Sequence, residues 1–198
     1  MNALIGGHDM STAIRPAEIA PDGTTGAIQL GSRIVAGREC GTCTLCCKVL
    51  GIAALQKPAG SWCPHCRPGQ GCGIYEGRPE ECRTFGCLWL ADPQFPDEHK
   101  PERSKLVFVL EPNQGRVIAY CDPGRPLAWR EVGNYRLLKN MAVVSAESGR
   151  QVIVALRDSY TAILPDRDVP LGTVKPGQRI VYRETGAGPA KRIEPSVE

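Results

Sequence analysis

Apolar residues fall into short dense runs in the second half of the chain and keep no sustained period in the first. Lys105 to Leu110 and Arg116 to Cys121 are β-rich and flank Pro112-Asn113-Gln114-Gly115, which predicts a hairpin closed by Asp122-Pro123-Gly124. Leu127 to Glu131 suits one helical turn. Asn134 is placed to cap a helix running to about Glu147, with Leu137, Leu138, Met141 and Val144 at helical spacing and Gly149 as its stop. Gln151 to Leu156 and Tyr160 to Leu164 predict a second hairpin around Arg157-Asp158-Ser159. A last strand is expected at Arg179 to Tyr182, after the Pro176-Gly177 turn, and the Gly- and Pro-rich end is expected to fray.

The first half reads differently. Residues 1–38 mix Gly, Pro and isolated apolar positions, as in a mobile tail with a short ordered piece near Ala27 to Leu30; His8 in this tail reads as solvated. Thr44 to Leu55 predicts a short helix with Leu45, Val49 and Leu50 on its inner face, interrupted at Gly51. Lys57, Pro58 and Gly60 make a turn, Trp62 to Cys66 a knuckle, and Arg67 to Gly73 a Gly-rich loop. Pro79 suits a first helical position, Glu80 and Glu81 complement the helix dipole, and Gly86 is a stop. Asp92 to Glu102 carries three prolines and reads as a linker, with His99 exposed among charges. The expected fold is α+β: an irregular Cys-rich metal-binding module followed by a small antiparallel β unit with one main helix. Its parts are a tail at 1–38, the module at 39–91, a linker at 92–103, the α+β domain at 104–185 and a tail at 186–198.

Nine of the ten cysteines lie within 48 positions: Cys40, Cys43, Cys46, Cys47, Cys63, Cys66, Cys72, Cys82 and Cys87. The chain shows no export signal, and its longest apolar runs are far too short to span a bilayer, so a cytoplasmic protein with no membrane partner is expected. Thiols stay reduced there, and clustered cysteines more often bind metal than form disulfides. A formal net charge of +3 does not point to nucleic acid. The cysteine stretch has five Lys or Arg against three Asp or Glu, an excess that bound thiolates would erase.

The spacing allows two metal chemistries. Cys43 and Cys46 are followed by Cys63 and Cys66 after 16 residues, and Cys40 and Cys43 by the same pair after 19, both suited to an all-sulfur zinc site. Cys40, Cys43 and Cys46 also repeat the spacing that supplies three ligands to a 4Fe–4S cluster, with Cys72, Cys82 or Cys87 as the distant ligand. Adjacent Cys46 and Cys47 tend to diverge, which hints at more than one centre. His65 reads as an exposed turn residue. Lys48, Arg67, Arg78 and Arg83 can offset thiolate charge, and Arg83, beside Cys82, is the favoured donor to a bound cofactor. Trp62, Tyr75, Phe85 and Trp89 are expected to pack around the metal. Cys121 reads as a buried strand residue.

Cys40-Gly41-Thr42-Cys43-Thr44-Leu45-Cys46-Cys47 and Cys72-Gly73-Ile74-Tyr75-Glu76-Gly77-Arg78-Pro79-Glu80-Glu81-Cys82-Arg83-Thr84-Phe85 resemble the CxxCxxCC, or YkgJ-type, family of zinc- or iron-chelating proteins. The resemblance implies a chelated metal with Cys40, Cys43, Cys46, Cys47, Cys72 and Cys82 as ligands. It covers about a quarter of the chain and fixes no activity. The family includes flagellin lysine N-methylases, which look like iron–sulfur enzymes, yet no Gly-rich nucleotide loop follows a strand here. The ferredoxin-like triplet, the adjacent cysteine pair and these relatives tip the expectation to an iron–sulfur cluster over zinc. The alternatives are a redox or modification enzyme component related to those methylases and a zinc-stabilised interaction module.

Overall fold

The computed structural model describes residues 17–18, 34–111, 115–187 and 192–198. Its first elements are strand β1 (Ala17–Glu18), helix α1 (Cys46–Val49), the short strands β2 (Cys66–Arg67) and β3 (Gly71–Cys72), and helices α2 (Glu80–Thr84), α3 (Leu88–Ala91) and α4 (Pro101–Ser104). There follow β4 (Leu106–Glu111), β5 (Arg116–Cys121), helix α5 (Val132–Glu147), β6 (Gln151–Leu156), β7 (Ser159–Ile163), β8 (Asp168–Thr173), β9 (Arg179–Thr185) and β10 (Arg192–Val197). The fold is α+β, with one main helix and a small sheet.

The five-stranded sheet has the order β4-β5-β6-β7-β8. Both expected hairpins form: β4 pairs antiparallel with β5, and β6 with β7. The sheet is antiparallel apart from the β5–β6 pair, which is parallel. Parallel neighbours need a long crossover, and α5 supplies it. Almost every residue of β4, β5 and β6 is buried, so these strands read as continuous apolar runs rather than alternating ones. A second sheet, β1-β9-β10, uses chain that was expected to fray: Arg192–Val197 pairs with Thr185–Ile180. The expected ordered piece at Ala27 to Leu30, His8 and most of the expected tail lie outside the described residues.

Helix α5 begins two residues before Asn134, which therefore is not its cap. Asn134 is instead buried, and its Nδ2 donates to Ser104 O at 2.9 Å and Ala128 O at 2.8 Å. Its Oδ1 stands 3.0 Å from Nδ1 of His99. His99 is likewise buried, not exposed, because this amide supplies a partner that lets an imidazole leave water. The inner face of α5 runs through Asn134, Leu138, Ala142 and Ser145, while Val144 points outward at 68% exposure. After α5, Arg150 N donates to Ser145 O and Gly149 takes φ +66°, the left-handed stop foreseen.

Residues 92–103 are not a free tether. Phe95, His99 and Pro101 are buried, and the Phe95 ring lies 5.3 Å from that of Phe108 in β4. The cysteine-rich stretch is tied to the same core: Leu45, Val49, Leu50, Leu88, Trp89 and Leu90 join one buried cluster with the sheet residues. One charged pair lies inside, Glu111 at 1% and Arg116 at 2% exposure, joined side chain to side chain at the end of the β4–β5 ladder. Among the described residues no helix is long and apolar enough to cross a membrane.

Candidate metal centre

The cysteines sit on short elements because little else in this stretch can form a core. The expected helix over Thr44 to Leu55 is reduced to α1, after which Leu50 turns extended. Ala53–Leu55 adds one 3-10 turn. The inner face foreseen for it holds, since Leu45, Val49 and Leu50 are all buried. Pro79 stands just before α2, outside the first helical position, and Glu80 and Glu81 occupy the first turn as expected.

Backbone contacts and one carboxylate tie several of the cysteine-bearing stretches together. Cys43 N donates to Cys40 O at 2.8 Å, closing a tight turn in which Gly41 takes φ +51°, a conformation open to glycine. Cys63 N donates to Cys47 O, and Cys66 N to Cys63 O, both at 3.0 Å, so the knuckle is laid directly against α1. Cys66 and Cys72 face each other across the β2–β3 pair, backed by Gly73 N donating to His65 O at 2.8 Å. A Cβ on Gly73 would come within 3.1 Å of that carbonyl, so the close approach favours glycine. Finally, Glu81 receives Ala53 N at 3.0 Å and Ala54 N at 3.2 Å, which fixes α2, and with it Cys82, against the chain after α1.

All ten cysteines are free thiols. Cys63 and Cys87 are buried, Cys40 is exposed, and Cys43, Cys46, Cys47, Cys66, Cys72 and Cys82 are intermediate. The Cys46 and Cys66 thiols donate to Cys47, and this holds Cys47 down at about 6 although burial opposes it. The same hydrogen bond, with burial, pushes Cys46 well up. Burial and the Cys47 charge raise Cys66 to about 11, and burial with Cys47 and Cys63 raises Cys82 to about 11. Backbone amides point at other sulfurs: Leu45 and Glu102 at Cys43, Leu90 and Trp89 at Cys87. Amides so placed spread the charge of a thiolate, as they do around metal-bound sulfur.

Cations also stand inside the group. Lys57, in the expected turn, is buried, with Nζ donating to Lys48 O at 3.1 Å and to Leu50 O. Burial lowers its pKa, against the pull of Cys47, Cys63, Cys46 and Cys82. Arg78 stands beside Cys40 and lies 3.7 Å from the Tyr75 ring centroid, and its Nε and Nη1 are buried without a hydrogen-bond partner. Arg83, favoured from sequence, instead lies on the exposed side of α2 and pairs with Glu80 at 2.5 Å. Lys48 is bound to Asp122 at 2.6 Å. Of the four expected aromatic staples, Trp89 is buried and Phe85 partly so. Trp62 and Tyr75 are exposed, each with a cation (Lys48 and Arg78) over its ring. His65 is exposed, as expected.

Cys121 is the buried last residue of β5, its thiol 3.4 Å from Arg125 O, apart from the other nine in chain and setting. Among the described residues no three Cys, His, Asp or Glu side chains stand close enough to hold a metal ion as they are placed. The donor chemistry nevertheless suits one: soft sulfurs, amides aimed at them, and a guanidinium with two buried, unpartnered nitrogens. Comparisons with protein-family models, with curated proteins and with solved structures found no match to this chain.

Proposed function

We propose that this chain is a cytoplasmic metal-binding protein whose thiolates hold an iron–sulfur cluster, in preference to zinc. The observation that carries the reading is a set of nine free thiols within one stretch of chain, with the segments bearing Cys47, Cys63, Cys66 and Cys72 joined backbone to backbone. The motif resemblance to the YkgJ-type family supports the same chemistry. Residues Cys40, Cys43, Cys46, Cys47, Cys63, Cys66, Cys72, Cys82 and Cys87 would be the donors, and the metal would neutralise thiolate charge that the cations offset only in part. As placed, no three of these side chains stand close enough to hold an ion, so the sulfurs would draw together on binding.

Zinc is the second reading, favoured by one feature, the knuckle at Cys63 to Cys66 with Cys72 across from Cys66. Purification without oxygen separates the two. Iron with acid-labile sulfide and a brown visible spectrum is the expected result. A colourless protein with stoichiometric zinc would shift the reading to a structural module, and a metal-free one would end it.

A further inference from the structure

Cys66 and Cys72 are the one pair of cysteines that a strand ladder sets in register among the described residues. β2 and β3 are antiparallel and joined by a turn in which Gln70 N donates to Arg67 O at 2.8 Å. One step further from the turn, Gly73 N donates to His65 O at 2.8 Å. Hydrogen-bonded and non-hydrogen-bonded pairs alternate along such a ladder, so Cys66 and Cys72 form a non-hydrogen-bonded pair. Such pairs hold their α-carbons about 4.5 Å apart, at the short end of the window of about 4.4–6.8 Å that a disulfide bridges.

Both thiols are within reach of solutes. Cys66 and Cys72 are half-buried, and Arg67, Pro68, Gly69 and Gln70 between them are exposed. Cys63, close to Cys66 in sequence, is buried instead, with its amide bonded to Cys47 O in α1. Gly69 N donates to Thr44 Oγ1 at 3.2 Å, which fixes the hairpin to the chain before α1. The Cys66 thiol in turn hydrogen-bonds the Cys47 sulfur. Cys66 therefore has one thiol neighbour across the hairpin and another in α1. Cys40 and Cys43 have an anchorage of their own: Arg38 donates through Nη1 to Asp92 O at 2.8 Å, and Val35 N donates to Leu90 O at 2.9 Å.

We propose that Cys66 and Cys72 are a redox-active dithiol that closes reversibly to a cross-strand disulfide, with Cys47 as the internal thiol that reopens it. The oxidant is a small disulfide of the glutathione type. The Cys66 thiolate attacks one of its sulfurs, forming a mixed disulfide and releasing one glutathione thiolate. Cys72, its proton lost to solvent, then attacks the Cys66 sulfur. The Cys66–Cys72 bond forms, the bond to glutathione breaks, and the second glutathione leaves and is protonated. Two protein thiols are thereby oxidised and one glutathione disulfide becomes two thiols. In the reopening step the Cys47 thiolate attacks the Cys66 sulfur, and Cys72 leaves as thiolate and takes up a proton. Two glutathione thiols then reduce the Cys47–Cys66 bond and leave as glutathione disulfide. An exposed bridge is the labile kind, suited to redox sensing where thiols are otherwise kept reduced. The inference needs no bound metal. Its consequence for the metal-binding reading is that closure withdraws two of the nine donors.

The test exposes the reduced, metal-stripped full chain to glutathione buffers of rising oxidised fraction. Free thiols are then trapped with N-ethylmaleimide and located by peptide mass spectrometry. The first product expected has lost label at both Cys66 and Cys72 and is lighter by two hydrogens, and reduced glutathione restores both labels. Cys72→Ser should move the bridge to Cys47–Cys66. Cys47→Ser should keep the Cys66–Cys72 bridge and slow its reopening. A first bridge between any other pair, Cys63–Cys66 included, overturns the proposal. So does a lasting glutathione adduct on Cys66 of the unaltered chain, or no bridge in fully oxidised glutathione. Reopening at the unaltered rate in Cys47→Ser overturns the role given to Cys47. None of these results touches metal uptake, which is measured separately on the reduced chain.

Discussion

At the scale of single residues, Cys47 is the thiol set apart. It receives hydrogen bonds from Cys46 and Cys66 and sits at about 6, whereas Cys66, Cys82, Cys87 and Cys121 are pushed to about 11, chiefly by burial. Reduced, metal-free protein at neutral pH should therefore be alkylated by iodoacetamide at Cys47 first, with a pH midpoint near 6. Peptide mass spectrometry that found uniform labelling would contradict this. Stability carries the opposite signs. The depressed Cys47 contributes stability present above the ordinary thiol value of 9.0 and lost as pH falls towards 6. The raised thiols contribute stability present below 9.0 and lost as pH climbs through about 11. The melting temperature of the metal-free chain should thus fall between pH 9.0 and 11, and a flat profile would count against these placements. The buried Glu111–Arg116 pair makes another residue-scale prediction. Arg116→Met alone strands a buried carboxylate and should cost about 3–5 kcal/mol in urea unfolding, while replacing both partners with apolar residues should cost much less.

At the scale of elements, α5 shows what periodicity resolves and what it leaves open. The stripe Leu137-Met141-Val144 and the stripe Asn134-Leu138-Ala142-Ser145 are neighbours on one helix. Only the second is deeply buried; Leu138 was in the expected apolar set, but polar Asn134, whose partners Ser104 and His99 lie far away in sequence, masked the rest of that face. Leu138→Ala should accordingly cost about 2–5 kcal/mol. Val144→Ala should stay within about 0.5 kcal/mol, as surface changes do. Equal losses would reverse the assignment of faces. Strands β4 to β7 were legible because dense β-branched runs flank turn residues. Strands β8 and β10 were not, because Pro170, Gly172 and Pro195 interrupt them. Both run at the edge of a sheet, where a missing amide donor is tolerated, and only the partner strand reveals them.

At the scale of the molecule, the cysteine stretch and the sheet share one buried cluster, so the sulfurs do not replace a hydrophobic interior so much as extend it. Metal removal should then loosen the chain unevenly. Amide hydrogen exchange is expected to rise across Cys40 to Cys87 while β4, β5 and β6 stay protected. Uniform protection after chelation would mean that metal adds nothing to order there. The cysteines of the candidate site were legible from spacing alone. Its cations were less so: Lys57 reads only as a turn residue, and its burial follows from the bridge between Ile52 and Lys57. Arg78 precedes α2 and turns two nitrogens inward, whereas Arg83 lies on its exposed side, a difference set by tertiary packing.

The Arg38 clamp on the backbone around α3 has a consequence for the chain's length. By joining Trp89, Asp92 and Phe95 carbonyls to a point just before Cys40, it cinches the whole sulfur-bearing segment at its base like a drawstring. The entropy of closing such a segment grows only logarithmically, about 0.6 kcal/mol for each doubling of its length. Extra residues spliced in at the exposed Gly69 tip should therefore leave the neck and the sheet beneath it undisturbed.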